Sequence, residues 1–503
     1  MKSYSRSSLG IISGNLIFGG LGLVQAMVVA AAFGTGRDYD LYLVAQTLPE
    51  LWNYLLSGLL QSAFLPGFLR VSLRLGQEEG WRLRWASLGF VLAASAGLLI
   101  LAGVFSQGVV RLMAPGFSPA DVAPCARLFR FLLIAAWLNS LVRLLVNLHQ
   151  AERSFFLPAL VQSLSPLAVI ASVIWWGAGL GIYALWLGLC LGSLAQAIAL
   201  WPQVYSWGRS QWRARVWHPE MSLLLSLAWP LILGVLANRI NFAVDRAVAS
   251  TLNWGDISAL RFGLLPILTA VWIFSFPFTQ ALYPRLCRLA EAKRFNQMSS
   301  HLADLSQFYI ILFTPAAGLG ILFAPELVEM LFGRGAFGRH SVAATALALA
   351  CYSPCLVIMP LVQLLSGLYA SLQRTRALSV ISAAAVLLNL AADLTLARVM
   401  GLAGIALATS LIQAAWAIML AWWLHRLHPE SYNQASLSLA AWCFGLASLI
   451  GAGIWLAGDF GLSGLGAKIG LAGLGLVIYA LVLAFLFRQR LAQLWSAFQE
   501  TET

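Results

Sequence analysis

Residues 9–33 read LGIISGNLIFGGLGLVQAMVVAAAF, and runs of this kind recur along the whole chain. A segment of about 20 mostly apolar residues is long enough to cross the hydrocarbon core of a bilayer as a helix. Sliding that window gives about fourteen candidate spans: 9–33, 41–65, 86–108, 128–148, 156–176, 179–204, 222–250, 258–284, 305–325, 342–369, 375–397, 400–424, 436–457 and 467–487. Across 503 residues, 60% are hydrophobic, only 10% are charged, and the mean hydropathy is +0.82, which excludes a water-soluble globular domain. The expected fold class is an all-α integral membrane protein. No cleavable leader is expected, because MKSYSRSSLG lacks a small-residue cleavage site after a short apolar core and the apolar run continues too long.

The net charge of +12 raises the question of nucleic acid, and the placement of the basic residues answers it. With the N-terminus in the cytoplasm, most Lys and Arg fall in loops on that side, which is the positive-inside distribution of a multi-pass protein with both termini cytoplasmic. In the loops LRVSLRLGQEEGWRLRW, SWGRSQWRARVWHPEM and PRLCRLAEAKRF, Arg alternates with Trp as in interfacial anchors, so no nucleic-acid partner is expected. The cysteines Cys125, Cys190, Cys287, Cys351, Cys355 and Cys443 have no metal-ligand spacing, and CYSPC at 351–355 reads as small packing residues beside a proline kink. No nucleophile elbow or nucleotide-binding glycine loop is present, so the chain is not expected to be an enzyme.

Three pairs of similar segments share nearly one offset. QSAFLPGFLR matches TQALYPRLCR with Pro66 and Pro284 aligned, Met113 aligns with Met330 in the loops MAPGF and MLFGRGAF, and Ala151 aligns with Ala370. An offset of about 218 residues covers six spans, and an even number makes the two copies parallel. The expected organisation is a six-helix bundle at 1–205, a second at 206–425, a central cavity, and a C-terminal helix pair with its tail at 426–503.

Within that frame the run NRINFAVDRAV at 238–248 carries Arg239, Asp245 and Arg246 inside an otherwise apolar span. Each charge at the centre of a membrane helix costs at least about 2.5 kcal/mol, so the three need partners or water. At 100° per residue Asn238, Asn241 and Asp245 share an arc, Arg239 and Arg246 lie beside it, and Ile240, Ala243 and Ala247 occupy the opposite, lipid-facing side. Other spans offer counterparts: Glu50 behind Pro49, the stripe Asn139, Arg143 and Asn147, the pair Asn389 and Asp393 one turn apart, and Thr409. Singly, each reads as an interhelical hydrogen bond; as a set, the intramembrane carboxylates favour an ion or proton pathway through an alternating-access transporter.

Several stretches together resemble the MurJ/MviN lipid II flippases, within the multidrug/oligosaccharidyl-lipid/polysaccharide exporter superfamily. They are AAFGTGRDYDLYLVAQTLPELW, MAPGF, FGRGAF, NRINFAVDRAVASTLNWGDISALRFGLLP, LVNLHQAERSFFLPALVQSLSPLAVI and LYASLQRTRALSVISAAAVLLNLAADLTLARVMGLAGIALATSLI. The resemblance implies a multi-pass monomer of the bacterial cytoplasmic (inner) membrane, moving a lipid-linked oligosaccharide among membrane lipids. It has no cofactor beyond Na⁺ or H⁺ as coupling ion. By the family pattern, Asp245, Asn389, Asp393, the Ile405 carbonyl and Thr409 form a sodium site, an oxygen cage of the kind a hard cation takes. The family's cavity arginines align with Gly19, Gln25, Asn53 and Leu265, and an aspartate aligns with Ala26, whereas Asp40 is retained. Arg261, one turn before Leu265, and Arg143, Arg239 and Arg246 are the remaining cations for an anionic substrate; with Asp40, Glu50, Asn53 and Gln25 they make up the candidate cavity. Two other readings stay open: a cation-coupled drug or organic-solute antiporter of the same superfamily, and a non-transporting membrane scaffold of cell-wall synthesis.

Overall fold

The computed structural model describes residues 2–208, 210, 217–427, 473 and 479, of which 2–17, 227, 229–231, 233–239, 375–377, 425 and 427 are described in backbone only. The expected spans 436–457 and 467–487, and with them the C-terminal pair, lie outside the described residues apart from 473 and 479.

In hydrocarbon every backbone N–H and C=O needs an internal partner, and helices supply it. The described elements are helical throughout. They are α1 (Lys2–Phe33), α2 (Arg37–Leu59), a π turn (Leu60–Phe64), α3 (Leu65–Leu75), α4 (Gln77–Val104), α5 (Ser106–Met113), α6 (Pro119–Ala151) and α7 (Phe156–Val161). Then come α8 (Leu164–Leu180), α9 (Tyr183–Gly208), α10 (Met221–Ala249), α11 (Asp256–Phe274), α12 (Phe276–Glu291) and α13 (Phe295–Leu322). The series closes with α14 (Ala324–Phe332), α15 (Arg339–Tyr352), α16 (Cys355–Ser371), α17 (Thr375–Met400) and α18 (Leu402–Leu427). Among the described residues nine helices are long and apolar enough to cross a membrane, or ten if α15 and α16, bent by 46° at their break, form one span.

The chain divides into two compact units, Met1–Phe262 with Leu331–Ala344 and Asn389–Ile405, and Gly263–Met330 with Thr345–Leu388 and Ala406–Thr503. In the first, α2 packs along α6 and α10, and α8 along α9. Its core gathers Leu60, Phe64 and Phe68 with Trp81, Trp85, Leu145, Leu148 and Leu200. The span expected at 41–65 is part of a longer helical run, Arg37–Leu75, because the π turn carries the helix past Pro66. The Leu60 carbonyl accepts the Leu65 N–H across that wide turn and takes a second bond from Asn147 Nδ2 at 3.0 Å. A proline in the following turn loses nothing, since it has no N–H to place.

The turn after α1 and the turn after α14 meet within this unit. Ala336 N donates to Ala31 O at 2.8 Å, and Gly34 and Gly335 both adopt φ +59°. A Cβ at either position would fall 2.4 or 2.3 Å from the facing carbonyl oxygen, so both the backbone conformation and the approach demand glycine.

In the second unit, Tyr309 OH donates to Ser275 O (2.8 Å) at the break between α11 and α12 and pairs with Thr279 Oγ1 (2.7 Å). Tyr369 OH donates to Leu420 O at 2.8 Å. At the bend between α15 and α16, Ser410 Oγ donates to Cys351 O (2.7 Å) and lies 3.2 Å from Cys355 Sγ; neither cysteine is in a disulfide, in keeping with packing beside a kink.

Candidate functional site

The charges of α10 are held by two different neighbours within the first unit. Consecutive residues on a helix point about 100° apart, so Asp245 and Arg246 address different helices. Arg246 Nη2 donates to Glu50 Oε2 at 2.8 Å, and Arg246 Nη1 donates to Leu43 O at 3.0 Å and to Thr47 Oγ1 at 3.1 Å. Residues 43, 47 and 50 recur every three or four positions and so form one stripe of α2, an acceptor row for a guanidinium. The Arg246 side chain is 11% exposed and Glu50 30%, so the pair is neither sealed nor open.

Asp245 faces α17. Asn389 Nδ2 donates to Asp245 Oδ1 and to Asp393 Oδ2, each at 2.8 Å, so one amide bridges two carboxylates. Asp245 is 7% exposed, Asn389 2% and Asp393 0%. Two buried carboxylates this close repel unless a positive charge joins them. The oxygens present fit a small hard cation: Asp393 Oδ1 is buried with no hydrogen-bond partner among the described residues, and the Asn389 amide, donating through its nitrogen, leaves its oxygen free to ligate. Ile405 is buried in the same unit, whereas Thr409 is buried in the second. Among the described residues no group of three or more His, Cys, Asp or Glu side chains forms a metal cluster, so any cation here relies on amide, carbonyl and hydroxyl oxygens as well.

Asp40 is 1% exposed, and its carboxylate is spent on the start of α11: Oδ2 accepts Gly255 N at 2.6 Å, and Oδ1 accepts Ser258 N at 2.8 Å together with the Ser258 hydroxyl. Backbone N–H groups at a helix start attract a carboxylate through both hydrogen bonding and the helix dipole. Asp40 thus clamps α2 to α11. Nearby, Arg37 donates to Asp121 Oδ1 from Nε (2.9 Å) and Nη2 (2.6 Å).

The other expected cavity residues are placed as follows. Gln25, Asn53 and Arg261 are half-buried, and Asn53 Oδ1 has no partner among the described residues. Arg261 lies within electrostatic reach of Tyr39 and Tyr42, and Tyr39 stacks on Phe262 with ring centroids 5.2 Å apart. Arg143 is exposed, with Nε donating to Asn139 Oδ1 at 3.1 Å. Asn147, from the same stripe, is instead a packing residue on the Leu60 carbonyl. The Arg239 side chain lies outside the described residues. On the side of α10 expected to face lipid, Ile240 is 40% exposed but Ala243 only 8%, because α2 packs along α10 and the small side chain permits close approach. Thr47 and the Leu43 carbonyl were not anticipated as Arg246 partners; the 43, 47, 50 stripe is the signal that contains them.

The fold is that of a class of multi-helical membrane transporters. It superimposes on "Lipid II flippase MurJ, inward closed conformation" with a TM-score of 0.81 at 19% identity, covering 95% of this chain and 99% of that one. It also matches an inward-facing "multidrug resistance MATE family transporter of the MOP superfamily" with a TM-score of 0.69 at 14% identity, covering 84% and 98%. A curated Helicobacter pylori (strain J99) relative, "Probable lipid II flippase MurJ", is 26% identical over 410 residues, 76% of this chain and 87% of its own length. The family pattern "Lipid II flippase MurJ" matches residues 29–484, and the chain belongs to that family.

Proposed function

We propose that this chain moves lipid II, the undecaprenyl-diphosphate-linked precursor of peptidoglycan, from the inner to the outer leaflet of the bacterial cytoplasmic membrane. The observation that carries this is the family match across residues 29–484, which spans every intramembrane charge described above. The polar groups are of the kind alternating access needs. A transporter keeps ionisable side chains inside the membrane only where they pair, bind an ion or meet substrate.

In this reading the chain is a monomer with fourteen spans and both termini cytoplasmic, and the parallel segments 1–205 and 206–425 rock about the substrate while 426–503 adds the last helix pair. Asp245, Asn389 and Asp393, with the Ile405 carbonyl and Thr409, would hold Na⁺, or the carboxylates a proton; the bound charge offsets the repulsion between Asp245 and Asp393. Arg246 and Glu50 tie α10 to α2, so the cation-facing helix is anchored where it neighbours the cavity.

Depletion of the protein in cells, followed by mass spectrometry of lipid-linked precursors and an outer-leaflet accessibility assay on spheroplasts, tests the proposal. Lipid II should accumulate in the inner leaflet. Unaltered lipid II distribution alongside accumulation of an organic cation would move the assignment to a drug antiporter.

A further inference from the structure

The arginines of the first unit differ in what they have left to bind. Arg246 is satisfied by a carboxylate, a hydroxyl and a carbonyl. Arg84, 2% exposed, is tied to Glu152 and lies 4.6 Å from the Trp81 ring centroid. Arg143 is bonded only through Nε, to Asn139; among the described residues its two terminal nitrogens have no hydrogen-bond partner.

The direction of Arg143 matters as much as its open fork. α6 ends at Ala151, eight residues beyond, which at 1.5 Å per residue is roughly 12 Å away. An arginine in contact with lipid turns its head group toward the nearer interface. Arg143 turns the other way: the bond to Asn139, one turn earlier, holds the guanidinium toward the middle of the span. That segment is also fixed on both sides, against α2 through Trp52 Nε1 to Ser140 Oγ (2.9 Å) and against the π turn through Asn147 Nδ2 to Leu60 O (3.0 Å). An exposed guanidinium held toward the middle of a spanning helix is tolerable only beside water or an anion. A guanidinium with both terminal nitrogens free is the donor that recognises phosphate oxygens in a bidentate fork.

We propose that Arg143 receives the diphosphate of the lipid-linked substrate and that Asn139 is its positioning residue. The proposal rests on the functional reading above and adds to it the residue that reads the anion.

Native mass spectrometry of the full-length protein in mild detergent tests it, with undecaprenyl diphosphate and undecaprenol as competing probes. The two share a tail and differ only in the anion. The wild type should prefer the diphosphate. Arg143→Gln should reduce that preference at least about tenfold with undecaprenol binding unchanged, which also shows that the variant is folded. Arg143→Lys should recover part of the preference, because it restores the charge without the fork, and Asn139→Ala should fall between wild type and Arg143→Gln. An undiminished preference in Arg143→Gln overturns the role of Arg143 and leaves the flippase assignment standing. Equal loss of both probes marks a structural residue and likewise overturns it. A wild type indifferent to the diphosphate sinks both.

Discussion

Asp245 and Arg246 are neighbours in sequence, yet they sit in regions with opposite electrostatic balance. Around Arg246 one cation meets one carboxylate, and neutral oxygens complete the guanidinium, so the region is closed to further charge. Around Asp245 two carboxylates share a single neutral amide, and a buried oxygen of Asp393 is left over. The first arrangement ties two helices together without needing an added ion. The second leaves two buried carboxylates bridged by one amide, and a bound cation or proton would relieve their repulsion. One residue step along α10 therefore separates a structural tie from a candidate coupling site.

The largest effect should come from removing those two carboxylate charges. Asp245→Asn with Asp393→Asn should lower lipid II translocation at least about tenfold in reconstituted vesicles, while the protein still folds because the mutual repulsion is gone. In the wild type, replacing sodium chloride by choline chloride should lower the thermal midpoint in detergent, since an ion that binds only the native state stabilises it by mass action; Asp393→Asn should abolish the difference. Unchanged translocation in the double variant would reduce the cluster to packing.

A smaller effect is expected on the balanced side. Arg246→Gln leaves Glu50 without its cation and should destabilise by about 2 kcal/mol, less than the 3–5 kcal/mol of a fully buried pair because Glu50 keeps some exposure. Adding Glu50→Gln should restore part of the loss, a coupling that chemical or thermal unfolding of the four cycle members reads directly. The smallest effect belongs to Thr47→Val, which removes one neutral acceptor and should cost roughly 0.5–1 kcal/mol without altering the response to sodium. A sodium response that changed in Thr47→Val would show that the two sides of α10 are not independent.

Composition alone made the fold class legible, because apolar runs of spanning length leave a backbone no choice but helix. The residues of the site were legible too, as charges that lipid would not tolerate without cause. Their pairing was less so. Periodicity places Asp245 and Arg246 on different faces of one helix but does not say which helix each face meets; the family pattern grouped Asn389 and Asp393 with the first, while Glu50 stood among the possible counterparts with nothing to assign it to the second. Asp40 appeared as a cavity residue because the family pattern keeps an acidic residue there, yet its partners include backbone N–H groups at Gly255 and Ser258, invisible to any pattern of side chains. Asn139, Arg143 and Asn147 formed one stripe in sequence, but Asn147 was claimed by a carbonyl at a π turn whose existence no spacing announced.

That π turn sets the orientation of everything after it in the helix. An extra residue in one turn rotates the following segment by about 100° relative to an uninterrupted α-helix. With the turn in place, Phe68 and Val71 are 0% and 3% exposed while Leu69 and Leu73 are 42% and 85% exposed. Excising one residue from Leu60–Phe64 would swing the aromatic ring of Phe68 out of the core it shares with Phe64, Trp81 and Trp85 and carry a different set of leucines inward. The helix would survive such a deletion; the bundle it completes would have to be repacked around a differently facing surface.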